Sequence, residues 1–214
     1  MRMPLDVGFM RDRDYKVFRP EHYYHVFNRG NNKQSIFLED RDYINFLKRL
    51  KFVLGLIPVN RAQTRICPLP YGAFSIISYC LMPNHFHFLI RQNSDMGINK
   101  LIQKVSTSYV SYFNRQYSRV GGLFQDQFKA KLVDNDSYVK YVSAYIHNNP
   151  SDLDYDYSSY KDIVGLRDGK IVERGILLSW FNNSQGAYAA FVKGFAQKDK
   201  QQIQDLLFED ENDV

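Results

Sequence analysis

The sequence predicts an α+β fold: an antiparallel β-sheet with helices packed on one side, followed by a C-terminal extension. Three observations predict it. Segments rich in β-branched and aromatic residues alternate with segments whose apolar residues recur every three or four positions, in the order strand, helix, strand, strand, helix, strand, helix. Two of the strands are joined by a short link containing Pro83-Asn84, turn chemistry that makes them an antiparallel hairpin. At 214 residues, with no internal repeat, the chain is long enough for one generous domain with its own core.

The elements follow in order. Residues 1–20 read as an irregular basic leader carrying Arg2, Arg11, Arg13, Lys16 and Arg19. His22 to Asn28 is an aromatic, β-rich strand ending at the turn cluster Arg29-Gly30-Asn31-Asn32. Glu39-Asp40 opens a helix with Tyr43, Phe46, Leu47, Leu50 and Val53 on one face. Gly55 to Tyr71, with three prolines, reads as a loop or a strand with a long connection. Ala73 to Leu81 and the run beginning at His85 form the hairpin. Ile98 to Tyr117 is a helix closed by Gly121-Gly122, and Phe128 to Val133 is a short strand. Asp134 or Asp136 caps a helix that runs to about Asn148 and is ended by Pro150. This order is that of a ferredoxin-like sheet. The domain therefore spans 21–150. An extension over 151–208 has an aromatic, loop-like start from Tyr155 to Gly165 and helices at Gly186–Phe195 and Gln201–Phe208, before a solvated acidic tail over 209–214.

Composition narrows the class. Two cysteines, Cys67 and Cys80, are too few for a secreted disulfide framework and lack zinc-site spacing. The leader has no apolar h-region and no run of about eighteen apolar residues follows, which predicts a cytoplasmic chain with no membrane partner. The net charge of +5 averages two unlike parts: residues 1–149 hold 21 Lys+Arg against 11 Asp+Glu, and residues 150–214 hold 7 against 12. A basic domain with 15% aromatic residues suits a surface on which unpaired bases stack.

The densest chemistry lies in Met82-Pro83-Asn84-His85-Phe86-His87-Phe88-Leu89-Ile90. On a strand, His85 and His87 point to one face while Phe86, Phe88 and Ile90 point to the other, into a core. Half-exposed strand histidines are common, and two imidazoles on one face make only half of a metal site. On the last domain helix, Tyr138, Tyr141, Tyr145 and Asn149 form one stripe. Such a stripe is ordinarily core packing, and Asn149 could be a C-terminal cap. Taken with the histidines, the stripe suits different chemistry. Two imidazoles and an amide oxygen can hold a divalent cation, and a phenol from the helix can attack a polarised phosphorus.

These residues resemble the HUH single-strand DNA transposases, in which U is hydrophobic, with an IS200-like transposase domain, and especially their REP-associated tyrosine transposase branch. The resemblance is carried by His25-Val26-Phe27-Asn28-Arg29-Gly30 with Ile36-Phe37, by Met82-Pro83-Asn84-His85-Phe86-His87, by Tyr112-Phe113-Asn114, by Gly122-Leu123-Phe124-Gln125, by Phe128-Lys129-Ala130, by Tyr145-Ile146-His147-Asn148-Asn149-Pro150 and by Ser158-Ser159-Tyr160. Each is weak alone and the combination is specific. Gln127 departs from the pattern, standing where a basic residue is common.

The resemblance implies that His85, His87 and Asn149 are ligands of Mg²⁺ or Mn²⁺ and that Tyr145 is the nucleophile, with Tyr109 and Tyr112 as rivals. It implies a partner, single-stranded DNA with hairpin (palindromic) elements, and cleavage and rejoining of one strand through a 5′-phosphotyrosine. Arg29, Lys129 and Lys131 are the candidate phosphate contacts. A monomer and a homodimer are both compatible with the resemblance, since in some relatives two chains exchange the tyrosine helix. A non-catalytic binder of single-stranded or hairpin nucleic acid is the competing class, and a metal-dependent hydrolase the third.

Overall fold

A computed structural model describes residues 17–58 and 66–207. The leader through residue 16 and the acidic tail lie outside the described residues, and residues 17–20 carry no strand or helix. Four strands, β1 (Tyr23–Arg29), β2 (Phe74–Met82), β3 (His85–Gln92) and β4 (Lys129–Val133), form one sheet in the order β2-β3-β1-β4. Every neighbouring pair is antiparallel. With helix α1 (Asp40–Val53) between β1 and β2, and α2 (Ile98–Gln116) between β3 and β4, this is the expected ferredoxin-like arrangement.

Local chemistry explains the elements. Glu39 and Asp42 make a reciprocal capping box at the start of α1. Helix α3 (Asp136–His147) is capped by neither Asp134 nor Asp136: the Asn135 side chain accepts the Ser137 N–H at 2.8 Å. Asparagine performs the same capping chemistry as aspartate, so the expectation missed by one position. Strand β2 carries a bulge between Ile76 and Ser78, which keeps Tyr79 and Leu81 on the face of Ile76 despite the odd spacing.

Helices α1 and α2 pack on one side of the sheet, as expected. There Phe46, Leu50, Val105, Tyr109 and Phe113 meet Val26, Phe86, Phe88 and Ile90. The expectation of helices on one side alone is incomplete, because the opposite side is also covered. Val139, Val142 and Ile146 of α3, with Leu177, Tyr188 and Val192 of the extension, enclose Ile77, Cys80 and Leu89. The nearly unbroken burial of β2 is that of a strand covered on both faces.

The extension closes this second core. It contains α4 (Tyr160–Ile163), α5 (Arg174–Ser179), α6 (Gln185–Lys193) and α7 (Gln197–Gln202), with a 3-10 turn at Gln204–Leu206. The expected helix at 186–195 is α6. The one expected over 201–208 begins earlier, as α7, and is broken at Ile203, while α4 falls in the stretch expected to be loop-like and α5 was not expected. The extension also covers the edge of β2, where Leu81 N–H donates to Tyr157 O (2.9 Å), Ser159 N–H to Tyr79 O (2.9 Å) and Glu173 N–H to Ile76 O (2.8 Å). These bonds satisfy an edge that would otherwise be open to another strand. No described helix is long and apolar enough to cross a membrane, and both cysteines are free thiols.

Candidate active site

Strand alternation places His85 and His87 on the face of the sheet that α3 covers, and the register extends that face sideways. His87 lies between Phe27 of β1 and Cys80 of β2, and His85 between Arg29 and Met82. Lys129 is paired with Phe27 and Lys131 with His25. Directly paired residues share a face, so Arg29, Lys129 and Lys131 flank the two histidines on one side. The Lys129 ammonium stands 5.7 Å from the centre of the Phe27 ring.

The Pro83-Asn84 turn that begins β3 is pinned by the segment after β1. Ile36 and Phe37 N–H both donate to Pro83 O, at 2.8 and 3.0 Å, and Gly30 N–H donates to Asn84 O at 2.8 Å. A Cβ on Gly30 would fall 2.1 Å from the Gln34 carbonyl oxygen, so only glycine fits there. The Asn84 amide nitrogen donates to Lys33 O (3.2 Å), which turns its oxygen toward His85 Nδ1 at 2.6 Å. An amide oxygen can only accept, so Nδ1 of His85 carries the proton. Its Nε2 then presents a lone pair to Asn149 Oδ1, 3.0 Å away.

Two acceptors this close are reconciled either by a cation held between them or by turning the Asn149 amide so that its NH₂ donates. Among the described residues no group of three His, Cys, Asp or Glu side chains is placed to hold a metal ion. The donor set that converges is two imidazoles and an amide oxygen, which suits a divalent cation that keeps open positions for other oxygens.

Helix α3 brings Tyr145 to the same place. Its ring stands edge-on to His87, centroids 5.7 Å apart, and edge-on to His25 at 5.9 Å. Asn149 follows one turn later. It is not the helix cap, since Asn148 donates to Ala144 O (2.9 Å) and to Val192 O of α6 (3.0 Å), tying off the helix end. The rival tyrosines are on the far side of the sheet. Tyr109 donates to Ile36 O at 2.5 Å and Tyr112 to Asp42 Oδ1 at 2.9 Å, both in the layer of α1 and α2. Burial raises both phenols, Tyr112 to about 12.

All four sequence-predicted groups, His85, His87, Asn149 and Tyr145, therefore meet, and they meet within one chain. Two residues of the site were not foreseen. His25 of β1 is fully buried, with Nε2 2.9 Å from His87 Nδ1 and Nδ1 2.8 Å from Leu206 O. Lys200 of α7 lies with its ammonium 5.7 Å from the centre of the Tyr145 ring. A histidine in the middle of an apolar strand was a signal for the first. Nothing local marks the second. Burial pushes His25 down to about 4; His87 is held well below the usual histidine range by burial and then by the neighbouring His25, His85 and Arg29, so both imidazoles are neutral.

Comparison with known proteins covers part of the chain. Residues 70–149 match the family model described as "Transposase IS200 like", a segment that holds β2, β3, α2, β4 and α3 and hence every candidate ligand and the tyrosine. No curated protein matches. Among solved structures, the chain is similar to a REP-associated tyrosine transposase bound to a REP hairpin, at 12% identity and a TM-score of 0.49, covering 70% of this chain and 83% of that one. A candidate transposase from Deinococcus radiodurans R1 is similar at 12% identity and a TM-score of 0.38, covering 65% and 97%. The tRNA(His) guanylyltransferase of Saccharomyces cerevisiae is similar at 12% and 0.34, covering 93% and 83%. At these scores the three likenesses describe outline alone.

Proposed function

We propose that this chain, whose residues 70–149 match the IS200-like transposase family, is a metal-dependent endonuclease and strand transferase for single-stranded DNA, acting at hairpins. The observation that carries the reading is the meeting of Tyr145 with His85, His87 and Asn149 on one face of one sheet. A phenol beside two imidazoles and an amide oxygen is ordered for nucleophilic attack on a phosphodiester. Hairpin recognition follows the family resemblance.

In this reading the Tyr145 oxygen forms a bond to the scissile phosphorus as the bond to the 3′ oxygen breaks. The phenol's proton is lost and the departing 3′ oxygen gains one, leaving a 5′-phosphotyrosine and a free 3′-OH. Attack by another 3′-OH reverses the step and joins strands, so neither water nor a nucleotide triphosphate is consumed. Mg²⁺ or Mn²⁺ held by His85, His87 and Asn149 would polarise the phosphate and offset its developing charge. Arg29, Lys129 and Lys131, on the same face, orient the DNA backbone. With the tyrosine and the ligands in one chain, a monomer suffices.

The test is incubation of the full chain with labelled hairpin-bearing single-stranded DNA and Mn²⁺, followed by denaturing electrophoresis. A covalent adduct that Tyr145→Phe abolishes is the expected result. Salt-sensitive binding with no adduct would make the protein a nucleic-acid-binding module, and multiple turnovers without adduct a hydrolase.

A further inference from the structure

The partners of the buried His25 are of different kinds. Leu206, from the 3-10 turn that ends the described extension, offers a backbone carbonyl to Nδ1 at 2.8 Å, and a carbonyl can only accept. Nδ1 of His25 therefore carries the ring proton, and its Nε2 is an acceptor. That acceptor lies 2.9 Å from His87 Nδ1, with both residues buried, so His87 Nδ1 must donate. The imidazole of His87 is then left with its lone pair on Nε2. The ring planes support the same alignment: those of His25 and His87 are only 22° apart with centroids at 5.1 Å, as for two nearly coplanar imidazoles joined edge to edge by an N–H···N bond.

We propose that His25 is a positioning residue: anchored by the Leu206 carbonyl, it accepts the Nδ1 proton of His87 and thereby presents Nε2 of His87 to a divalent cation. The inference deepens the metal-site reading and rests on it. It also gives the extension a part in the site, because the group that orients His25 lies 181 residues away in the chain. A hydrogen-bond partner on the far nitrogen of a ligand histidine fixes both its tautomer and its orientation.

Two readouts test it. Nitrogen-15 imidazole spectra of the metal-free wild type should show His87 protonated at Nδ1 and unprotonated at Nε2; the opposite tautomer overturns the proposal without any variant having to fold. Mn²⁺ affinity, measured by titration calorimetry in the absence of DNA, should weaken by about 10- to 100-fold in His25→Leu. His25→Gln, whose amide offers an acceptor and a donor together, should recover most of it. Unchanged affinity in His25→Leu overturns the role of His25 while leaving the metal site intact. Failure of the wild type to bind Mn²⁺ at all overturns the metal reading and this inference with it.

Discussion

Tyr145 and His87, 58 positions apart in the sequence, stand edge-on in one chain with ring centroids 5.7 Å apart. On the proposed function the site is assembled in cis. Mixing a Tyr145→Phe chain with a His87→Ala chain should give no adduct, because neither chain holds a complete set. Adduct formation by the mixture, read on the same denaturing gel, would show that the tyrosine helix is exchanged between chains.

Tyr109→Phe separates structure from chemistry. The variant should still form the adduct. It should also lose about 1–3 kcal/mol of stability in urea denaturation, because the Ile36 carbonyl loses its donor in a buried setting. Loss of the adduct from a stable Tyr109→Phe protein would contradict the separation of the two faces.

The bond network that fastens the extension to α3 should be just as visible. Tyr188 donates to Ser143 Oγ at 3.2 Å and its hydroxyl lies 2.7 Å from His147 Nδ1, while His147 Nε2 lies 2.9 Å from Ser159 Oγ. All four side chains are buried. Tyr188→Phe leaves polar partners unsatisfied and should lower the urea midpoint by the equivalent of about 1–3 kcal/mol, with an unchanged slope.

Stability should fall on acidification below the ordinary histidine pKa. Burial pushes His25 from 6.5 to about 4 and His147 to about 3. Above 6.5 neither state takes up protons at these groups, and their stabilisation is fully present. As the pH falls below 6.5 the unfolded chain is protonated while the folded one stays neutral, costing about 1.4 kcal/mol per pH unit for each group until its folded pKa is reached. Thermal unfolding at about pH 5 should give a clearly lower Tm than at about pH 7.5. Equal values would mean that these imidazoles are accessible to protons in the native state.

The three basic residues on the site face should act as phosphate contacts. Alanine at Arg29, Lys129 or Lys131 should weaken binding of hairpin DNA similarly across sequences and reduce the salt slope of log K by about one each. A variant that changes sequence preference but not the slope would instead be reading bases.

Much of the fold was legible because strand and helix periods are written within a few residues. The parity of His85 and His87 against Phe86, Phe88 and Ile90 put imidazoles on one face and a core on the other. The three-and-four spacing of α3 placed Tyr145 and Asn149 a turn apart. The bulge at Ile76–Ser78 was not legible, since a one-residue shift of register leaves no local mark in a strand that is buried on both faces.

By itself the sequence determined the order of elements through α3, the Pro83-Asn84 hairpin and which side chains share a face of β3 and of α3, all of which depend on backbone geometry over a turn or a pleat. Only the tertiary structure set the tyrosines on opposite faces of the sheet. The same helical periodicity fits Tyr109 in α2 and Tyr145 in α3, and the two are distinguished by which side of the sheet each helix covers. Tertiary structure alone also brought Asn149 to His85, and Leu206 through His25 to His87, contacts spanning 64, 181 and 62 positions. Such contacts arise from the return of the chain across the sheet, where burial and the need to satisfy polar groups choose partners that no local pattern encodes.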